Sequence, residues 1–179
     1  MIRSIQDHDL FIDLFGDASS TVESDVRSTA IGAVLTRHIG GKCQPVLAFA
    51  SPVSAETVPV AEMGAILANI TQILHLLDNK ITFPWVENAE FRIFSDSLTC
   101  VDVIKGMVKP SEDDSEFKRV AFETIRALLL VQLKTKTSVI WVPRDDNQRA
   151  DRIASWARSS GSGSGHWVEW EVLLDNMIT

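Results

Sequence analysis

Four acidic residues, Asp17, Glu62, Asp96 and Asp151, stand where the neighbouring residues bring a carboxylate against apolar or closely packed structure. Asp17 ends the run Ile12-Asp13-Leu14-Phe15-Gly16-Asp17 and is followed by Ala18-Ser19-Ser20. Apolar residues of this kind fit a buried strand, and small residues let another segment approach the backbone. A carboxylate held mid-strand is costly unless a partner or a metal offsets its desolvation. Glu62 lies among Ala61, Gly64 and Ala65, Asp96 follows Ile93-Phe94-Ser95, and Asp151 sits in Asn147-Gln-Arg-Ala-Asp151-Arg-Ile-Ala154. Three of them have an ordinary reading when taken singly: a turn-capping Asp at 17, a first-turn Glu that complements a helix dipole at 62, a helix N-cap at 96. Taken together they form an all-oxygen donor set. Hard ions such as Mg²⁺ want such ligands, and a pair of ions about 4 Å apart needs several carboxylates arriving from different elements. The chemistry that suits this set is phosphodiester hydrolysis, with one ion activating a water and the other stabilising the leaving oxygen.

The elements that must position these acids follow from periodicity. Met1 to Asp9 reads as a polar lead-in and Leu10 to Ala18 as a first strand. Thr21 to Thr29 is a hairpin connection, Ala30 to Thr36 a second strand, Gly40-Gly41 a turn, and Pro45 to Ser51 a third strand. From Val58 the apolar residues Val60, Met63, Ile66, Leu67, Ile70, Ile73, Leu74 and Leu77 recur at helical spacing, with Pro59 suited to the first turn. Glu90 to Ser95 is a short strand followed by a helix through Ile104. Phe117 to Leu133 reads as a helix, Thr137 to Val142 as a fifth strand, Pro143 to Asp146 as a loop, and Asn147 to Arg158 as a last helix. The expected fold class is α/β, a five-stranded mixed sheet built from an antiparallel meander and two further strands, flanked by helices.

The 179 residues suffice for one domain with a real core, and 45% hydrophobic and 23% charged residues describe an ordinary globular chain. No apolar run reads as a membrane span and no signal-peptide h-region is visible, so no membrane is expected. Cys43 and Cys100 are too few for a disulfide framework, and neither stands in a metal-ligand spacing. Both read as buried thiols of an intracellular, reducing compartment, cytoplasmic or nuclear. A net charge of −7 argues against a grip on nucleic acid by bulk electrostatics.

The order of elements and the four acidic motifs resemble the ribonuclease H family from Leu10 to Arg158. Phe15-Gly-Asp17-Ala-Ser is similar to the family's first-strand motif, Glu62 stands in the place of its helix Glu, Phe94-Ser-Asp96-Ser resembles its second Asp motif, and Asn147 to Ala154 its last. Asp17-Ala-Ser, Ile31-Gly-Ala-Val-Leu35 and Pro45 to Ser51 are most similar to the domains of gypsy-type LTR retroelement reverse transcriptases, whereas Asp96-Ser97 is more like the cellular enzymes. The resemblance implies an endoribonuclease that cuts the RNA strand of RNA/DNA hybrids with two Mg²⁺ or Mn²⁺ ions. It makes Asp17, Glu62, Asp96 and Asp151 the catalytic and metal-binding residues, and puts Ser19, Ser97, Asn147 and Arg144 on the substrate side. Two departures stand out. The loop before the last helix, Pro143-Arg144-Asp145-Asp146, lacks the His that many members carry, and the counterpart of a basic substrate handle, Lys109 to Lys118, is short and acid-rich. Slow cutting is therefore expected, with grip borrowed from an attached reverse transcriptase or another protein subunit.

The last stretch differs in kind. Residues 1–158 form the expected domain, 159–165 have the Gly/Ser composition of a flexible linker, engineered rather than natural low-complexity, and 166–179 form an apolar peptide that reads as a tethered partner segment, the alternatives being an expression scar or a natural C-terminal element that completes the core. Trp167, Trp170, Leu174 and Met177 share one face at helical spacing, which favours a helix laid in a groove, although Trp167 to Val172 suits strand addition as well. This tail, the missing His and the acidic surface favour an alternative function: a retroelement-derived or ribonuclease-H-like protein-binding module with weak or no activity.

Overall fold

A computed structural model describes residues 11–23, 26–55 and 57–179. The expected lead-in, Met1 to Asp9, lies outside the described residues, as do Leu10 and two residues of the expected hairpin connection, Ser24 and Asp25. Three strands open the described residues: β1 (Phe11–Glu23), β2 (Val26–Ile39) and β3 (Lys42–Val53). After α1 (Val58–Asp78) come β4 (Glu90–Ser95), α2 (Leu98–Ile104), α3 (Ser115–Gln132), β5 (Thr137–Trp141) and α4 (Gln148–Ser160). A strand β6 (Val168–Glu169) and a helix α5 (Trp170–Ile178) end it. The sheet runs β5-β4-β1-β2-β3-β6, so six strands replace the five expected. The additional one is β6, antiparallel to β3; β1 pairs in parallel with β4, and β4 with β5.

The first hairpin is longer than its hydrophobic pattern. Thr21 to Thr29 was expected to be a connection, yet β1 and β2 stay paired out to Glu23 and Val26. Polar cross-strand bonds carry the pairing there. The hydroxyls of Ser20 and Thr29 lie 3.1 Å apart, and Arg27 Nη1 donates to Ser20 Oγ.

Alternation along β1 divides the core. Ile12 and Leu14 face α1, α2 and α3 in the larger cluster, with Ile66, Ile70, Ile73, Phe91 and Ile93. On the opposite face Ala30, Val34, Ala48 and Ala50 receive Ile153 and Ala157 of α4. The result is a sheet covered on both sides. α4 lies directly on the backbone of β2: a Cβ added at Gly32 would stand 2.4 Å from Ala154 N and 2.7 Å from Ala150 O. Only glycine permits that approach, which brings the first turn of α4 and Asp151 down to the sheet. α1 is long and apolar enough by length and composition to cross a membrane, contrary to the reading that no such segment exists, but most of it is buried as a core helix. Cys100 is fully buried as expected; Cys43 is exposed, because its strand turns it away from both core clusters.

The C-terminal stretch packs on the same chain. Gly163 presses on β3, where a Cβ would meet Ala50 O at 2.4 Å. Ser164 Oγ accepts from Ala50 N at 3.1 Å, and Gly165 N donates to Ala50 O at 3.1 Å. Val168 and Glu169 then pair with Ala48 and Leu47. The single stripe of Trp167, Trp170, Leu174 and Met177 does not form, because the helix begins only at Trp170. Trp167, outside that helix, stacks on Phe49 with ring centroids 5.9 Å apart and joins the α1 side of the core. Past β6, Trp170 and Met177 pack on the α4 side, and the residue α5 buries completely is Leu173, not Leu174. Unpaired backbone groups along β3 explain the difference: strand addition satisfies them before helical periodicity begins.

Leu173→Ala is expected to cost about 2–5 kcal/mol, in the range of a buried leucine truncation, and Leu174→Ala far less. Equilibrium denaturation of the two variants checks this, and equal losses would contradict the packing described.

Candidate active site

The acids meet where the sheet changes from parallel to antiparallel. The last pair in the register of β1 with β4 is Phe15 with Phe94, whose rings stack at 4.8 Å. Beyond it β1 runs on without a β4 neighbour, and Asp17 occupies that opening. α1 reaches the same place because Ala61 and Ala65 pack on Ala18 and Ile31, small residues that allow close approach. Glu62 is therefore held at the rim. Asp96 follows the last residue of β4. Its backbone carbonyl accepts from Trp141 Nε1 at 3.1 Å, and its Oδ1 accepts from Asn147 Nδ2 at 3.0 Å. The N-cap position of α2 falls on Ser97, so the Asp96 carboxylate is not spent on a cap.

Asp17, Glu62 and Asp96 each bring a carboxylate oxygen into one group, all within 4.8 Å of one another. Asp151, in the first turn of α4, stands beside this trio: its charge acts on Asp17, while its Oδ1 accepts from Arg144 Nη2 at 2.8 Å. Asn147 is 1% exposed and its Nδ2 also donates to Gly16 O at 2.9 Å, so one carboxamide ties β1, β4 and α4 together. Ser19 turns toward α4, where its Oγ lies 3.3 Å from Ser155 Oγ and accepts from Arg158 Nε at 2.8 Å. Ser97 is half-buried, its backbone N–H donating to Ser95 Oγ. Two residues that sequence reasoning passed over take part. Trp141 holds the Asp96 backbone, and Arg158 sets the Ser19 hydroxyl. The visible signal for Trp141 was a large aromatic at the end of a strand, for Arg158 a cation one turn before a Gly-rich stretch.

Burial raises the Asp17 carboxyl from 3.8 to about 7, with the neighbouring charges of Asp96 and Asp151 adding to it and the Ala18 N–H at 2.8 Å opposing it. Burial likewise raises Glu62 from 4.5 to about 9, with Asp17 and Asp96 contributing. Glu62 Oε2 is buried and has no hydrogen-bond partner. Crowded like charges and an orphaned oxygen mark a place made for a cation. Every donor is a carboxylate oxygen, so the residues fit a hard divalent ion such as Mg²⁺ or Mn²⁺.

No family model matches the chain, and no curated protein does. Solved structures do match. The RNase H1 of the halophilic archaeon Halobacterium salinarum is 21% identical over 85% of this chain and 99% of that one, with a TM-score of 0.60. The N-terminal RNase H domain of a Mycobacterium tuberculosis protein is 18% identical over 84% and 95%, with a TM-score of 0.61. LC11-RNase H1, solved in complex with an RNA/DNA hybrid, is 19% identical over 84% and 98%, with a TM-score of 0.60. The fold is thus ribonuclease H-like, as the order of elements implied.

Because the folded state raises both carboxyl groups, the metal-free folded chain keeps protons that the unfolded chain releases. Stability contributed by these protons is complete below the ordinary carboxylate range and is lost as pH rises through about 7 for Asp17 and about 9 for Glu62. Melting temperature in a chelator is expected to fall across that window. Asp17→Asn or Glu62→Gln should flatten the slope, and Mg²⁺ should raise the melting temperature of the parent at alkaline pH far more than that of either variant. A chelated parent whose stability ignores pH in this range would contradict the electrostatics.

Proposed function

We propose that the chain is a metal-dependent endonuclease that hydrolyses the RNA strand of RNA/DNA hybrids. One observation carries the reading: three carboxylates from β1, α1 and the end of β4 converge within 4.8 Å, with a buried Glu62 oxygen left unpartnered. The fold shared with RNase H1 structures, one of them solved with a hybrid, supports the substrate class. Discrimination of RNA from DNA would rest on 2′-hydroxyl contacts in the wide minor groove.

Asp17, Glu62 and Asp96 would hold the cation, with Asp151 beside them. Divalent ions in such a site supply an activated nucleophile and neutralise charge at the leaving oxygen. The chain's own residues do the rest. Asn147 fixes the orientation of Asp96 through its Nδ2–H and, by the same group, holds the start of α4 on β1. Arg144 is exposed and paired with Asp151; a guanidinium adds positive charge near the phosphate but takes up no proton. With no imidazole in Pro143 to Asp146, whose residues are exposed, solvent is the proton acceptor and turnover is slow. Arg149 and Arg152, exposed on α4, offer a modest basic strip for the backbone. The counterpart of a handle carries Glu112, Asp113, Asp114 and Glu116 instead of a basic cluster. Grip from an attached polymerase, and with it the affiliation to LTR retroelement reverse transcriptases, completes this proposal, as does an intracellular reducing setting for two free thiols. The apolar tail, which favoured a protein-binding module, has a seat on its own chain, and the nuclease reading is preferred.

Incubation with a labelled hybrid and Mg²⁺ or Mn²⁺ is expected to cut the RNA strand slowly. Asp96→Asn should fall to background with the fold kept, and Asn147→Ala should lose about 10–100-fold, as losses of groups that orient metal ligands do. Asp96→Asn cutting as fast as the parent would sink the proposal.

A further inference from the structure

A second cluster of metal-ligating side chains lies at the other end of β1. His38 and Cys43 are direct cross-strand partners across the Gly40-Gly41 turn, so their side chains emerge on one face. Asp13, on the neighbouring strand, pairs with Thr36, two residues before His38, and presents its carboxylate to the same face. His38 Nε2 lies 2.9 Å from Asp13 Oδ2, and the Asp13 oxygen, the His38 nitrogen and Cys43 Sγ all fall within 4.8 Å of one another. Asp13 is 4% exposed, while Cys43 is exposed, so the cluster has a buried floor and an open mouth.

We propose that Asp13, His38 and Cys43 form a site for a borderline-soft transition-metal ion, Zn²⁺ in kind, separate from the acid cluster. The ligand chemistry separates the two. An O, N, S donor set selects Zn²⁺ or Co²⁺, whereas the all-carboxylate cluster selects Mg²⁺ or Mn²⁺. Bonds of about 2.0–2.3 Å put tetrahedral donors about 3.3–3.6 Å apart. The His–Asp pair is already near that spacing, and Cys43 closes on it by giving up its weak bond to Thr36 Oγ1 at 3.2 Å. Binding uses the imidazole through Nε2, with its proton on Nδ1, and releases the Cys43 thiol proton to solvent, with the fourth position left to water.

Asp13 is built to serve such a centre. Arg92 Nε donates to its Oδ1 at 2.6 Å and Nη2 to its Oδ2 at 2.7 Å, and the guanidinium stacks on Phe11 at 4.3 Å. Thr36 Oγ1 donates to the Asp13 carbonyl at 3.2 Å. These contacts hold the carboxylate aimed, as partners behind a metal ligand do. Arg92 Nη2 stands 2.7 Å from Oδ2 and 3.5 Å from His38 Nε2, so the ion takes its place there while Arg92 Nε keeps Oδ1, with the thiolate offsetting the added charge. Asp13 lies four residues from Asp17, about 13 Å along the strand, so both sites can fill together. Its effect would be to cross-link β1, β2 and β3 at the hairpin end.

Titration of the full chain with Co²⁺ in excess Mg²⁺ tests this. A thiolate-to-cobalt charge-transfer band saturating at one equivalent, and bleached by Zn²⁺, is expected. Cys43→Ser and His38→Ala should abolish the band, whereas Asp96→Asn should keep it, which separates this site from the nuclease reading. Zn²⁺ should also raise the melting temperature of the Asp96→Asn chain but not of Asp96→Asn combined with Cys43→Ser. Absence of the band, or a band that survives Cys43→Ser, overturns the proposal.

Discussion

The carboxamide of Asn147 is the interaction on which the site depends. Its single Nδ2 reaches both the backbone of β1 at Gly16 and the carboxylate of Asp96 beyond β4. β1 and β4 have already parted at this level, so nothing in the sheet itself fixes their separation. A buried amide that bridges them replaces the missing ladder bonds and also sets where α4 begins. Asp151, one turn into that helix, inherits its position from the same contact. The placement of three acids is thus coupled through one side chain, at the start of α4, whose two partners come from β1 and the end of β4.

What opposes this arrangement is charge. Carboxylates driven together under burial would separate or stay protonated if they were mounted on flexible segments. Here they are carried by β1, α1 and β4, whose inner faces hold the larger core cluster: Leu14, Ile66, Ile70, Phe91 and Ile93 are all fully buried. Close packing resists the small displacements that would relieve the repulsion. The hydrophobic core therefore holds the acids together by being stiff, and the proposed cation would meet its ligands already assembled.

Much of this was legible in the residues. The helical spacing from Val60 to Leu77 marked α1, and small residues beside Glu62 marked a helix pressed on a sheet. Asp17 and Asp96 were recognisable by the apolar strand residues that lead up to each. What could not be read depends on contacts across distance. The partnership of Asp151 with Arg144 and the anchoring of Asp96 by Trp141 depend on how loops close in space. The outer half of the first hairpin carries no hydrophobic alternation, because hydroxyl and guanidinium bonds hold it. The exposure of Cys43 is not legible either, because a thiol's burial depends on which way its strand faces. The single helical stripe of the tail fails for a related reason: counted from Trp167, it includes residues that an open strand edge takes first.

The seat of that tail has a consequence for chain length. Successive strand residues point to opposite faces, and here Trp167 serves the α1 side while Val168 serves the α4 side. A two-residue strand has little power to choose its own register. The choice is made upstream, where Gly163, Ser164 and Gly165 are pinned to Ala50. A sequence that looks like a spacer tolerant of any length thus acts as a ruler. One residue added or removed between Gly165 and Trp167 would exchange the two faces, presenting the indole to the crowded α4 side and taking one wall from the hollow beside Phe49 and Leu67.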